Sequence, residues 1–173
     1  MKKKIKKNLI GISAPQSELA KLFINRFKNK FIFLVYKESI NDYQKFRKWL
    51  NKNKNIEIFI NFAAMTNTKY CEKNKKSTLL TNYKSTIKLI KNINQNKLKN
   101  FNYFLALSSC HVFAKSSNKL LENSTKLPSN VYGHSKLLME KWILKNSKKY
   151  HFNIGIGRIF NYYTPSKKNF FIN

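Results

Sequence analysis

Five short apolar segments recur along this chain, and a longer stretch with helical spacing of apolar residues follows each of the first four. The apolar segments span residues 8–12, 31–36, 56–64, 101–108 and 152–160. The helical stretches span residues 17–28, 41–53, 78–96 and 131–149. Such alternation predicts an α/β domain with a mainly parallel, doubly wound sheet. Ligands are then expected at the carboxyl ends of the strands.

No linker or internal repeat interrupts this alternation, so the 173 residues are predicted to form one domain. Residues 1–7 form a basic tail, and residues 114–130 form a polar, turn-rich loop before the last helix. No apolar run is long enough to span a membrane, and the first apolar segment is too short for a signal-peptide core. These features favour a soluble protein.

The chain contains only two cysteines, Cys71 and Cys110. Two cysteines do not indicate a disulfide framework, and they fit the reducing cytoplasm. Although His111 follows Cys110 directly, no closely spaced pair of cysteines accompanies it. No metal site is therefore predicted.

The net charge of +28 is the feature that points to a different class of function. A basic domain can bind nucleic acid, with strong salt dependence. However, only Arg26, Arg47 and Arg158 are arginines, and the lysines are spread over the whole chain. Phosphate-reading surfaces favour the planar guanidinium group. A genome bias towards AT-rich codons explains the lysine excess better than nucleic-acid binding does. Nucleic-acid binding stays an alternative.

The strongest chemical signal is the segment Tyr-Gly-His-Ser-Lys at residues 132–136. On a helix, Tyr132 and Lys136 are four residues apart and share one face. An ammonium group near a phenol favours the phenolate, which suits a tyrosine that acts as a general acid or base towards a hydroxyl or ketone. The spacing alone is weak, because tyrosine and lysine are both abundant in this chain.

Two serines at the end of the fourth predicted strand strengthen this interpretation. Ser108 and Ser109 stand where a parallel sheet presents its functional groups. A serine hydroxyl at that position can hydrogen-bond the oxygen whose proton Tyr132 handles. The simpler alternative is that the two serines only begin a loop.

Five motifs in this order resemble the extended short-chain dehydrogenase/reductase superfamily, which includes NAD-dependent epimerases, dehydratases and nucleotide-sugar 4-keto reductases. The resemblance covers nearly all of residues 8–166. It is carried by residues 60–64, by Asn82 with Thr86, by residues 107–113, by residues 132–136 and by residues 158–165. Ser85 replaces the glycine that the second of these motifs contains.

The resemblance implies a Rossmann-like domain that binds NAD or NADP and a nucleotide sugar. Ser109, Tyr132 and Lys136 would be the catalytic residues, acting at C4 of the sugar or a neighbouring carbon. The implied cofactor-binding residues are Gly11, Ser13, Ala14, Gln16, Lys37, Phe62, Ala63, Ala64, Asn82, Leu107, Tyr132, Lys136 and Phe160. The implied substrate-binding residues are Thr66, Ser109, Cys110, His111 and Asn161.

The chain departs from the family pattern in the glycine-rich turn after the first strand. Gly11 keeps the first glycine of that turn, but Ala14 and Ser17 stand where the next two glycines belong. Pro15 restricts the turn further, so weakened dinucleotide binding is expected. No acid occupies the usual ribose-binding position directly after the second strand. Lys37 could contact a 2′-phosphate, which tilts the preference weakly towards NADP, and the simpler alternative is a solvated lysine.

Length is the other departure, because the resemblance implies a substrate lobe that would begin at residues 161–173. We therefore expect an incomplete domain that lacks this lobe: a fragment, a split enzyme completed by a second chain, or a degenerate copy. Three functions remain open. They are a weak or inactive nucleotide-sugar enzyme, a non-catalytic Rossmann-fold module that regulates or binds a partner, and a basic nucleic-acid-binding protein. A homodimer is also implied by the resemblance.

Overall fold

The computed structural model describes residues 7–161, and the rest of the predicted basic tail and residues 162–173 lie outside the described part. Its strands are β1 (Leu9–Ser13), β2 (Ile32–Tyr36), β3 (Ile58–Asn61), β4 (Tyr103–Ser109) and β5 (Asn153–Ile159). Its α-helices are α1 (Glu18–Phe27), α2 (Tyr43–Lys52), α3 (Thr68–Lys73), α4 (Lys75–Leu79), α5 (Thr86–Gln95) and α6 (Val131–Asn146). A π-helical turn, Leu80–Ser85, joins α4 to α5, and short 3-10 turns follow β4 (Cys110–Val112) and α6 (Ser147–Lys149).

The five strands form one parallel sheet in the order β2-β1-β3-β4-β5. Strand β2 is added on one side of β1, and β3 to β5 are added on the other side, so the strand order reverses between β1 and β3. Ligands of doubly wound sheets bind at this switch point. The predicted Rossmann-like α/β fold is therefore confirmed.

Two hydrophobic cores hold the sheet between its helices. Helices α2, α5 and α6 bury the larger core, in which Phe59 stacks on Phe104. On the opposite face, α1 packs Ala20 against Ile12 and Ile60. Because both faces carry apolar side chains, the strands read in the sequence as nearly continuous apolar runs.

The structure corrects several predicted boundaries. Strand β3 ends at Asn61, not at residue 64, because the Ala63 amide donates to the Ser13 and Asn61 side chains instead of to a neighbouring strand. The predicted helix at 78–96 is divided by the π-helical turn, and α6 ends at Asn146. Helix α3 was not predicted, since its six residues are too few for an apolar period; the Asn67 side chain caps it.

Three further observations bear on the possible classes of function. Across residues 7–161, no helix combines the length and apolarity needed to cross a bilayer. Over the same residues, no three or more His, Cys, Asp or Glu side chains cluster as metal ligands would. Cys71 and Cys110 are both free thiols.

Candidate active site

A pocket of about 490 Å³ opens at the carboxyl edge of the sheet. It is bounded by the first turn of α1, the loop after β3, the ends of β4 and β5, and the start of α6. It is lined by Ser17, Glu18, Leu19, Phe62, Ala64, Thr66, Leu107, Ser108, Ser109, Cys110, His111, Tyr132, Lys136, Ile159, Phe160 and Asn161. This is the edge at which the sequence predicts a ligand.

The three residues predicted to be catalytic, Ser109, Tyr132 and Lys136, all line this pocket, and we call them the catalytic corner. Tyr132 is only 8% exposed, and this burial raises the pKa of its phenol. The Ser109 side chain opposes that effect, because its hydrogen bond to the phenol lowers the pKa. The side chains of Ser109 and Tyr132 therefore interact at the pocket.

Lys136 is 3% exposed, and its Nζ donates to the backbone oxygen of Leu107 at 2.8 Å. Burial lowers the pKa of this amine to about 8, although the Coulombic effects of the nearby Cys71 and Glu140 act in the opposite direction. Only one of the three ammonium protons is used in this bond, so the others are available to a ligand. The amine is poised to change charge just above neutral pH.

Close packing fixes the start of α6, the helix that carries Tyr132 and Lys136. Asn130 caps the helix, since its Oδ1 accepts from the Gly133 amide at 2.8 Å. The Glu72 carboxylate, from α3, accepts from the Val131 amide at 2.7 Å. A Cβ added to Gly133 would lie 2.1 Å from the His111 backbone oxygen, so only glycine allows this approach.

A partly buried ion pair joins the end of β5 to α6. Arg158 donates through Nε and Nη2 to the two carboxylate oxygens of Glu140, at 2.9 and 2.8 Å. Glu140 lies one turn beyond Lys136, and the Arg158 guanidinium also sits over the Phe113 ring at 5.2 Å. Such a bidentate pair fixes orientation as well as distance.

A chain of buried polar groups begins at the end of β1 and crosses the sheet edge. The Ser13 hydroxyl donates to Asn61 Oδ1 at 2.6 Å, and Asn61 Nδ2 donates to Thr86 Oγ1 at 3.0 Å. Thr86 Oγ1 donates in turn to the backbone oxygen of Asn82 at 3.3 Å. These links tie β1 and β3 to the π-helical turn.

The Asn82 side chain continues this chain to α6. It accepts from the Met65 amide and donates to the Met65 oxygen, at 2.8 and 2.9 Å. It also donates to Ser135 Oγ at 3.1 Å, and Ser135 donates to the Tyr132 oxygen at 2.6 Å. One polar network therefore connects the end of β1 with the helical turn that carries the phenol, and its members are satisfied.

The turn that joins β1 to α1, residues 14–17, is here called the nucleotide turn; it contains no glycine. Ala14 nevertheless has φ 47°, in the left-handed region that glycine usually occupies. Ser17 caps α1 by accepting from the Ala20 amide, and Glu18 places a carboxylate in the first helical turn, at the pocket.

The prediction that Gly11 belongs to this turn was wrong. Gly11 lies in the middle of β1, where it pairs with Leu34 and Phe59. A Cβ added to it would be 2.6 Å from Phe59 Cδ2 and 3.0 Å from Trp49 Cη2. Gly11 thus serves the packing of the aromatic core and does not approach the pocket.

The structure brings most of the other predicted site residues together, with some exceptions. Ser13 and Asn82 are fully buried, and their side chains are occupied by the polar network. Lys37 is exposed beyond β2, and Ala14, Gln16 and Ala63 lie beside the pocket without lining it. All five residues predicted to bind substrate line the pocket: Thr66, Ser109, Cys110, His111 and Asn161.

Sequence reasoning missed several residues at the site. Glu18, Leu19 and Ile159 line the pocket, and Asn130 caps the helix that carries the catalytic corner. The cap was accessible from the sequence, because an asparagine directly before an apolar helical stretch signals a helix start. The buried Ser108 hydroxyl, at the pocket, has no hydrogen-bond partner among residues 7–161.

Comparison with known proteins identifies a family. The model of the NAD dependent epimerase/dehydratase family matches residues 13–172. A structure of RMD from Pseudomonas aeruginosa complexed with NADPH matches with TM-score 0.80 and 17% identity, covering 95% of this chain and 58% of that chain. No curated protein sequence matches this chain.

Two other solved structures are similar. A dTDP-4-dehydrorhamnose reductase from Bacillus anthracis str. Ames in complex with NADP matches with TM-score 0.77 and 17% identity, covering 91% of this chain and 55% of that chain. A UDP-glucose 4-epimerase matches with TM-score 0.76 and 19% identity, covering 89% and 52%. At these identities the likeness shows the fold alone, and this chain spans little more than half the length of each solved chain.

Proposed function

Because the chain belongs to the NAD dependent epimerase/dehydratase family, we propose that it is an NAD(P)-dependent reductase or epimerase domain that acts on a nucleotide-linked sugar. The observation that carries this proposal is the catalytic corner, in which Ser109, Tyr132 and Lys136 meet in one pocket at the carboxyl edge of the sheet. A phenol, a hydroxyl and an amine in one pocket suit proton transfer at an alcohol or ketone.

The lining of the pocket suits the nicotinamide half of a dinucleotide. Phe62, Ala64 and Leu107 offer an apolar wall for a nicotinamide ring, and Lys136 has donors for ribose hydroxyls. The left-handed Ala14 gives the nucleotide turn the backbone shape that a pyrophosphate site needs. When bound, the cofactor supplies or accepts hydride.

The chain's own residues would manage the proton. Tyr132 donates a proton to the substrate oxygen during reduction and takes it back during oxidation. Ser109, which lines the same pocket, would hydrogen-bond the same oxygen and orient it towards the phenol. Lys136, as an ammonium ion, stabilises the phenolate and holds the cofactor ribose.

Two features favour NADP as the first cofactor to test and a nucleotide sugar as the substrate. Lys37 is exposed beyond β2 and can neutralise a 2′-phosphate, whereas Glu38 is paired with Lys45 at 3.1 Å. The similar solved structures include proteins named for dTDP-4-dehydrorhamnose and UDP-glucose, and two contain NADPH or NADP.

The test combines cofactor binding with one substitution. NADPH and NADH are added at millimolar concentration and the melting temperature is measured; NADPH is expected to raise it more. Turnover is then measured as NADPH oxidation with dTDP-4-dehydrorhamnose and as epimerisation of UDP-glucose. Tyr132→Phe should lower turnover by about 10²-fold or more and leave the melting temperature nearly unchanged. If neither cofactor shifts the melting temperature, the enzymatic proposal is wrong.

A second candidate is a non-catalytic Rossmann-fold module, and the nucleotide turn favours it. Glu18 lies at the pocket in the first turn of α1, where a pyrophosphate would meet a like charge. This function predicts a stable fold that binds no dinucleotide.

We also propose a cytoplasmic location, which suits two free thiols. A homodimer or a second chain that completes the substrate site stays a prediction.

A further inference from the structure

The imidazole of His111 is held at the rim of the pocket by the residue that caps α6. His111 Nδ1 lies 3.0 Å from Asn130 Nδ2. The His111 ring also packs edge-on against the Tyr132 ring, with centroids 5.4 Å apart and an interplanar angle of 71°. The His111 backbone is fixed too, because Gly133 packs closely against its oxygen.

These contacts determine which ring nitrogen carries the proton. Asn130 Oδ1 accepts from the Gly133 amide at 2.8 Å as the helix cap, so the Asn130 amide cannot be turned around without losing the cap. The group that faces His111 is therefore Nδ2, which can only donate. His111 Nδ1 must accept, and the neutral ring carries its proton on Nε2.

Within residues 7–161, no hydrogen bond to Nε2 is formed, and His111 is exposed at the pocket. We propose that His111 is a fixed hydrogen-bond donor that selects substrates with an oxygen acceptor next to the oxygen handled by Tyr132. This inference rests on the proposed function and assigns to His111 a specificity-determining role. A hydroxyl, carbonyl or phosphate oxygen would satisfy the donor, whereas a substrate with hydrogen or an ammonium group there would be rejected.

The first experiment measures the tautomer in the free protein. Nitrogen-15 NMR of the histidine rings, at a pH where imidazole is neutral, should show His111 protonated at Nε2. Asn130→Asp keeps the helix cap, since aspartate caps as well as asparagine. Its second oxygen accepts where Nδ2 donated, so the proton should move to Nδ1. An unchanged tautomer in Asn130→Asp, with the fold intact, would overturn the inference.

The second experiment compares two replacements that each keep one ring nitrogen. In His111→Asn the side-chain amide nitrogen takes the position of Nδ1, and in His111→Gln the side-chain amide nitrogen takes the position of Nε2. Binding of UDP-glucose in the presence of NADPH is measured by calorimetry. His111→Asn and Asn130→Asp should weaken it about tenfold, as expected for one lost hydrogen bond, and His111→Gln should weaken it clearly less.

The matched control is His134→Asn, since His134 is exposed on α6 and does not line the pocket. It should leave binding unchanged. Equal losses in His111→Asn and His111→Gln would contradict a role for Nε2. If the wild type binds neither NADPH nor UDP-glucose, the proposed function fails, and the tautomer measurement, which needs no ligand, then decides whether His111 is a fixed donor.

Discussion

The catalytic corner and the nucleotide turn lie at the same edge of the sheet, yet they depart from the family pattern to very different degrees. The corner contains the expected serine, tyrosine and lysine, and the structure places all three at one pocket. The nucleotide turn contains none of the glycines that such a turn usually has. Even so, Ala14 adopts the left-handed backbone that a glycine would supply.

The difference shows which requirement each region must satisfy. Proton transfer needs particular atoms, so a different side chain at Tyr132 cannot replace the phenol. A phosphate turn needs mainly a backbone shape, which alanine can adopt at a cost of about 1–2 kcal/mol. A second departure in this region is Glu18, whose carboxylate lies in the first turn of α1, where the proposed cofactor would place its phosphates.

The largest effect is expected in the catalytic corner. Lys136→Met should lower turnover by about 10²-fold or more, because the ammonium that supports Tyr132 is lost. The free energy of unfolding should rise by about 1 kcal/mol or more near neutral pH, because the substitution removes a charge from a side chain that is only 3% exposed. Turnover and urea unfolding measure the two effects, and Lys141→Met, at an exposed position of α6, is the control.

The same lysine predicts how stability depends on pH. Its folded pKa is lowered to about 8 from the ordinary 10.5, so the unfolded chain binds more protons between these values. Stability should therefore increase with pH through this window, and Lys136→Met should remove that increase. Identical slopes in the two proteins would show that Lys136 is not buried as a charge.

The next effect tests how tightly the start of α6 is packed. Gly133→Ala puts a Cβ 2.1 Å from a backbone oxygen and should cost about 3 kcal/mol or more of unfolding free energy. Gly157→Ala is the matched control, because its nearest neighbour is the flexible Leu107 side chain at 3.3 Å, and it should cost less than about 1 kcal/mol. Equal losses would mean that the close approach to His111 is not rigid.

A smaller effect is expected at the nucleotide turn. Glu18→Gln should tighten NADPH binding by about threefold to tenfold at low salt, since a like charge near the phosphates is removed. The gain should shrink as salt is added. Calorimetric titration at two ionic strengths measures it, and unchanged or weaker binding would show that Glu18 does not oppose the cofactor.

The smallest effect concerns the left-handed backbone. Ala14 and Lys97 both have positive φ, at 47° and 44°, so a glycine at either position should stabilise the protein by about 1 kcal/mol or less. Only Ala14→Gly should change NADPH affinity, by less than about threefold, because Lys97 lies after α5 and away from the pocket. Parallel changes in both variants would remove the link between turn shape and cofactor binding.

The fold was largely predictable from the sequence, and the supporting contacts of the site were not. Apolar periodicity revealed five strands, and the Tyr132–Lys136 spacing correctly placed both residues on one helical face. The position of Gly11 was misjudged, because a glycine inside a strand and a glycine after it look alike until pairing fixes the register. Asn82 was assigned to the cofactor, whereas only the π-helical turn reveals that its amide is used inside the protein.

The polar network has a consequence for how this edge of the molecule opens to solvent. The amides of Ala63 and Met65 belong to neither a helix nor a strand, yet side chains from β1, β3 and the π-helical turn hold them. Their deuterium exchange should therefore require these distant groups to separate together, as one cooperative unit. A ligand that occupies the pocket at one end should then slow exchange at the other end, with no displacement of the backbone between them.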